Sequence, residues 1–253
     1  MRLALTRDVS PSIDQCQLTH LARDPIDLER ARAQHRAYEA CLESLGCSLR
    51  RLPADPLLPD SVFVEDCAVV LDEVAVLTRP GAPSRRPEVM AIEQALIGYR
   101  PIARIAAPDT LDGGDVLRVG RQLFVGLSAR TTPGGVEQLA RLLAPFDYRV
   151  GPAEVRGCLH LKSAATEVAP GVLLLNRGWT GSWAEAFECI EVDPEEPFAA
   201  NGLLIGERLV YPSAFPRTLG RLERHGIATL AVDVSELAKA EGGVTCCSLI
   251  FQG

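Results

Sequence analysis

"CAVVLDEVAVLTRP", residues 67–80, sets two apolar runs on either side of Asp72-Glu73, the pattern of a tight hairpin. Directly downstream, "RRPEVMAIEQALIGY" (85–99) places Val89, Ile92, Leu96 and Tyr99 at helical spacing. "PIARIAA" (101–107) then reads as a short strand. The same order recurs. "DVLRVGRQLFVG" (115–126) is a hairpin, "GGVEQLARLLAPF" (134–146) a helix, and a strand falls near "YRVG" (148–151). A third pass runs "AATEVAPGVLLLN" (164–176), a short helix "SWAEAF" (182–187) and the strand "CIEV" (189–192). A fourth runs "GLLIGERLVYP" (202–212), "FPRTLGRLERHG" (215–226) and "IATLAVDV" (227–234). The fifth needs both ends of the chain. "CCSLIF" (246–251) pairs with "MRLALTR" (1–7), followed by the helix "DLERARAQHRAYEACLESLG" (27–46) and the strand "CSLRRLP" (47–53).

A repeat of roughly 40–50 residues lies in the range of propellers and arrays. Five hairpin–helix–strand units, the last closed by pairing the two termini, predict an α/β fold: a closed five-bladed ring that leaves few free sheet edges. An open mixed α/β sheet is the competing reading of the same pattern. Pro and Gly punctuate the joints and no linker divides the chain, so residues 1–253 are expected to form one domain.

The bulk properties exclude several function classes. The formal net charge is −7 and there is no long basic run, which argues against nucleic acid or an anionic membrane as partner. No apolar stretch reaches the length of a membrane span. "MRLALTRDVS" has neither an h-region nor a small-residue cleavage site, so a cytoplasmic location is expected. The eight cysteines, at 16, 41, 47, 67, 158, 189, 246 and 247, contain no C-x-x-C. Their scatter reads as reduced thiols, not a disulfide framework or a zinc site.

The segments leading into the hairpins are where chemistry gathers. They read "PDSVFVED" (59–66), "PDTLDGGD" (108–115), "GCLHLKS" (157–163), "PFAANG" (197–202) and "EGGVTCC" (241–247). In a ring, equivalent positions of every unit face one axis. Asp60, Glu65, Asp66, Asp112, Asp115, His160, Cys246 and Cys247 would then converge, as a nucleophilic site requires: a thiol, a base beside it and a group orienting the base. Singly, each has an ordinary structural reading. An Asp before a strand is a turn residue, a histidine between leucines can be a satisfied core histidine, and a cysteine is a small hydrophobe.

Taken together, "PDSVFVEDCAVV", "LTRPGAPSRR", "LDGGDVL", "GLSARTT", "LHLKS" and "TCCS" resemble, in the same order, the dimethylarginine dimethylaminohydrolases. These are guanidine-modifying enzymes of the pentein, or five-bladed β/α-propeller, superfamily. The resemblance spans essentially the whole chain. It implies hydrolysis of N-omega-methylated arginines to citrulline and a methylamine, with no metal or organic cofactor. Cys246 matches the nucleophile, His160 the general acid/base and Asp112 the third polar member. Cys247 falls on a neighbouring, non-catalytic position. The resemblance further implies that Glu65 and Asp66 grip the guanidinium, Asp60 the α-amino group, and Arg85 and Arg130 the α-carboxylate. Leu18 and Ala240 fall where backbone carbonyls meet the substrate.

The residue chemistry agrees with that assignment. A guanidinium is a fork of N–H donors that carboxylates accept bidentately. Its carbon is a poor electrophile, so a fixed thiolate and localising carboxylates are what catalysis needs. Carboxylates near Cys246 disfavour a second anion, so its thiol is expected to rest protonated until a bound guanidinium supplies positive charge. Arginine deiminase or amidinotransferase chemistry uses the same thiol–imidazole logic. A non-enzymatic propeller would not need Cys246, His160 and the arginine clamp together. Cys246 and His160 are too few ligands for a structural zinc, although zinc capture there would inhibit. A homodimer is left open as the assembly.

Overall fold

The computed structural model describes residues 1–253. In chain order the elements are β1 (Arg2–Arg7), α1 (Leu28–Ser44) and β2 (Ser48–Leu52). Next come β3 (Ala68–Val70), β4 (Ala75–Leu77), α2 (Glu88–Leu96) and β5 (Ile102–Arg104). Then follow β6 (Val116–Val119), β7 (Gln122–Gly126), α3 (Pro133–Leu143) and β8 (Arg149–Ala153). The single-turn α4 (Leu161–Ala164) precedes β9 (Ala165–Ala169), β10 (Val172–Leu175) and β11 (Glu188–Glu191). The chain continues through β12 (Leu203–Ile205), β13 (Arg208–Pro212), α5 (Pro216–Arg224) and β14 (Ala228–Val232). It closes with the one-turn α6 (Ser235–Ala238) and β15 (Leu249–Gln252).

These strands form five three-stranded sheets, ordered β3-β4-β5, β6-β7-β8, β9-β10-β11, β12-β13-β14 and β15-β1-β2. In every one the first pair is antiparallel and the second parallel, the parallel step being made by the intervening helix. The fifth sheet is the seam: Arg2 pairs with Gln252 and Leu5 with Leu249. The first strand of each sheet, β3, β6, β9, β12 and β15, lines a single axial channel of about 310 Å³. That channel makes the arrangement a ring and sets aside the open sheet.

The helices cover the outside because their apolar stripes match the sheets they cross. In α3, Val136, Leu139 and Leu143 are buried at helical spacing, Thr132 caps the first turn by accepting the Gly135 N–H at 3.2 Å, and Pro133 sits at the first position. Two helices are shorter than the sequence pattern suggests. Residues 83–85 form a tight 3-10 turn before α2, and the third blade has only a 3-10 segment at Ser182–Ala186 where a helix is expected. "CCSLIF" is also not all strand: pairing begins at Leu249, leaving Cys246 and Cys247 in the turn before it. No helix is long and apolar enough to cross a membrane.

Candidate active site

The lead-in segments of the blades meet at one mouth of the ring. Contact there demands glycine. A Cβ on Gly113 would lie 1.9 Å from the Glu65 carbonyl oxygen, and one on Gly114 2.6 Å from His160 Nδ1. The "LDGGD" glycines therefore let the first two blades and the third approach to side-chain distance.

His160 stands just before α4, with both ring nitrogens facing carboxylates. Its Nε2 is 3.0 Å from Asp112 Oδ2 and its Nδ1 is 3.9 Å from Asp66 Oδ1. Asp112 is fully buried and its other oxygen accepts the Gly81 N–H at 2.8 Å. Burial alone would push the imidazole down, but Asp66, Asp112 and Asp115 outweigh it and raise His160 to about 9. The ring therefore rests as an imidazolium near neutral pH. Asp66 accepts from Arg85 Nη1 at 2.5 Å and from the Gly114 N–H at 2.9 Å. Although burial opposes its charge, His160 and Arg85 hold its carboxyl well below the usual range. Asp115 plays a different part. It accepts the hydroxyls of Ser128 and Thr131, each at 2.6 Å, and the Leu161 N–H at 3.0 Å. Burial raises it to about 6.

Cys246 hangs from the turn 243–246, where the Gly243 N–H donates to its sulfur at 3.3 Å. Burial first, then the charges of Glu65 and Asp66, push the thiol up to about 12. The residue thus rests as a thiol, as the carboxylate-rich sequence around it predicts. Cys247 is fully buried and its thiol points to the Gly243 carbonyl at 3.5 Å.

Cys246, His160, Asp66, Asp60, Arg85, Arg130 and Ala240 line one narrow slot of about 20 Å³, with Gln17, Phe63, Leu159, Glu241 and Gly242 completing it. Cys246 also borders a chamber of about 250 Å³ with mainly apolar walls. Asp60 accepts the Gln17 N–H at 3.1 Å. Arg130 donates to Thr19 Oγ1 at 3.1 Å, while its Nη1 is buried without a hydrogen-bond partner, 3.7 Å from Asp112. A buried donor without a partner is costly, so this one marks where an acceptor of a ligand is wanted.

Three expected contacts differ. The fork of Arg85 is filled by Glu88 (3.1 and 2.8 Å), Asp66 and the carbonyl of Phe63 at 3.1 Å. It supports Asp66 from behind. Glu65 does not line the slot. Its oxygens take Lys162 Nζ and Thr245 Oγ1 (2.8 Å), and the residue faces the axial channel. Its backbone N–H still donates to the Cys246 carbonyl at 3.2 Å. Leu18 packs on the apolar core and its neighbour Gln17 lines the slot.

Other residues went unread in the sequence. Glu88 lies three positions after Arg85, a spacing that signals an ion pair on a helix. Asn201 donates to Thr245 Oγ1 at 3.0 Å and accepts the Thr245 N–H at 3.2 Å, fixing the residue before the thiol. Glu241, at a left-handed φ of 58°, collects the N–H groups of Thr19 (3.1 Å), His20 (2.5 Å) and Leu21 (2.7 Å), strapping residues 19–21 beside the site.

Five blades around a thiol, an imidazole and paired carboxylates place the chain among the guanidine-modifying penteins. Residues 54–148 match the family model described as arginine deiminase. The chain is 39% identical over 248 residues to the N(G),N(G)-dimethylarginine dimethylaminohydrolase of Streptomyces coelicolor, covering 97% of this chain and 95% of that protein. It is 35% identical to the enzyme of the same name from Pseudomonas aeruginosa, covering 94% of each. A solved structure of the Pseudomonas aeruginosa protein, a cysteine-to-serine mutant complexed with citrulline, superposes with a TM-score of 0.94 over 98% of both chains at 34% identity. The chain belongs to the dimethylarginine dimethylaminohydrolase family.

Proposed function

We propose that this protein hydrolyses N-omega-methylated arginines to citrulline and methylamine or dimethylamine, with Cys246 as nucleophile. The observation that carries the reading is the slot itself. It brings together a resting thiol, an imidazolium held by Asp66 and Asp112, and an Arg130 N–H that has no hydrogen-bond partner. Family membership and the citrulline held by a relative support it.

In this reading Arg130 takes the substrate α-carboxylate and Asp60 the α-ammonium group. Asp66 accepts guanidinium N–H groups, and Ala240 offers a carbonyl along the slot. The incoming cation offsets the negative field of Glu65 and Asp66, lowering the thiol pKa where a thiolate is needed. Sulfur bonds to the guanidinium carbon and the bond to the methylated nitrogen breaks. The departing nitrogen takes up the thiol proton and the proton of His160, so the amine leaves as an ammonium ion and the ring is left neutral. The S-alkylthiouronium then takes up water, with His160 as base, and the C–S bond breaks to release citrulline and the thiol. Asp112 holds the ring in register, acting through its contact at Nε2. Side chains and water supply the whole sequence, with no metal or organic cofactor. Glu65 serves by fixing the backbone of Cys246. Residues 1–253 act as one domain, and eight unpaired cysteines suit a reducing, cytoplasmic setting.

The test is to incubate purified protein with arginine, monomethylarginine and asymmetric dimethylarginine and quantify citrulline. The methylated substrates are expected to turn over much faster than arginine. Faster release from arginine itself would transfer the assignment to deiminase chemistry.

A further inference from the structure

The methyl groups of the substrate need little room, yet the thiol borders far more than a methyl pocket. The slot and the chamber share four walls: Leu159, Glu241, Gly242 and Cys246. The chamber is the larger by an order of magnitude, about 250 Å³ against about 20 Å³, close to the lower end of small-molecule cavities at roughly 300 Å³. Beyond the shared residues it is lined by Leu21, Phe198, Pro212, Phe215, Val234 and Ala238. Phe198 is 45% exposed and held edge-on against Trp179, with ring centroids 5.0 Å apart. An apolar surface kept rigid beside a nucleophile is a place for an apolar part of the ligand.

Chemistry decides which part. The polar end of the substrate is fixed in the slot by Asp60 and Arg130, and the reacting carbon must sit at Cys246 Sγ. Each alkyl group on a terminal guanidine nitrogen replaces an N–H donor with hydrocarbon. That nitrogen can no longer satisfy a carboxylate such as Asp66 on the substituted side, so it turns away from the acids. The chamber borders the same sulfur and is walled by neither Asp60 nor Asp66.

We infer that the chamber is a subsite for the N-omega substituent, and that the substrate class extends to N-omega-alkylarginines with chains of about four carbons. The inference rests on the proposed function. The overall reaction is unchanged: N-omega-alkylarginine and one water give citrulline and the alkylammonium ion. The same C–N bond breaks and the same proton passes from His160 to the departing nitrogen. Glu241 links the two spaces, since it walls both and straps Leu21 over the chamber.

The experiment compares kcat/KM for N-omega-methyl- and N-omega-butyl-L-arginine, read as citrulline, in the wild type, Ala238→Trp and Ala238→Ser. Ala238 is exposed at the end of α6 and borders only the chamber, so the indole fills it without disturbing the core. Fully buried methylenes are each worth about fourfold, so three in a half-open chamber should lower KM by roughly tenfold or hold it level. The ratio of butyl to methyl kcat/KM should fall at least about tenfold in Ala238→Trp and stay near wild type in Ala238→Ser. Methylarginine turnover with no citrulline from butylarginine overturns the subsite, as does an unchanged ratio in Ala238→Trp. Absence of citrulline from every substrate would instead overturn the proposed function, and the subsite with it.

Discussion

Replacing Asp112 by asparagine isolates the carboxylate hydrogen-bonded to His160, one of three that raise its pKa. The shape is kept, and the new amide oxygen can still accept the Gly81 N–H now held at 2.8 Å. The amide NH₂ must then face His160 Nε2, where a carboxylate oxygen stood 3.0 Å away. A donor in that place favours the neutral ring with its proton on Nδ1, so the substitution reverses the preference instead of merely weakening it. A hydrogen bond to a charged group contributes about 1.5–3 kcal/mol, which is one to two pK units at about 1.36 kcal/mol each. His160 should therefore fall from about 9 towards ~7–8, Asp66 and Asp115 still supporting the cation. The assay is the pH profile of kcat/KM for dimethylarginine over roughly pH 6–10, with NMR of the His160 ring as a direct readout. The alkaline limb should move down by one to two units and kcat should drop by about 10²–10⁴. The sign also applies to stability. The raised pKa of His160 stabilises the fold fully below about 6.5, and that contribution is lost as pH rises through about 9. In the variant the loss should be complete at lower pH. An alkaline limb still near 9 would refute the reasoning and give the proton to Asp66 and Asp115.

Cys246→Ser should lower kcat by at least ~10³, because a serine hydroxyl is a weak nucleophile in a field of carboxylates, while Cys247→Ser should stay within about tenfold of wild type. Acid-quenched turnover should leave its adduct on Cys246, and a label on Cys247 would reverse the assignment. In a Cys247→Ser background, the thiolate absorbance of Cys246 should appear only near its raised pKa of about 12, and a non-reactive guanidinium analogue should bring it down by about 1–3 units. A free protein already thiolate at neutral pH would mean a resting thiolate–imidazolium pair instead. Arg130→Met should raise KM by roughly 30–1,000-fold with kcat little changed, since it removes a buried charge partner from a part of the substrate that does not react. An equal fall in kcat would place Arg130 in the chemistry.

The blades were legible because each is local: a hairpin, a helix and a strand lie within one repeat, and their apolar periods differ. Even the seam could be read, since Leu3 and Leu5 on one end and Leu249 and Phe251 on the other needed partners. The site was legible only as far as residue type goes. The family motifs brought Cys246, His160, Asp112 and Asp66 to one place, but not the direction in which Glu65 turns. Its side chain answers to Lys162 and Thr245, 97 and 180 residues away. Arg85 reads as a clamp until Glu88 is seen to occupy its fork. The strap at Glu241 is less visible still, because its partners are backbone N–H groups some 220 residues earlier, which carry no side-chain signature.

The seam between β1 and β15 has a consequence for the order of assembly. Closing a loop of ~240 residues costs only about 1.6 kcal/mol more than closing one of ~40, so the long separation is thermodynamically mild. It is slow in kinetic terms, because distant strands must find each other after local structure has formed. Cys246 lies three residues before the closing strand, in a turn whose shape depends on the first, third and fourth blades through Glu65, Lys162 and Asn201. The chain thus arms its thiol late. On the mechanism proposed above, a partly folded molecule carries Cys246 as an ordinary cysteine, and its reactivity towards guanidines is acquired as the circle completes. Moving the break in the chain to an exposed turn such as Gly120, with the present ends joined, would leave the same circle and the same thiol but install them in another sequence.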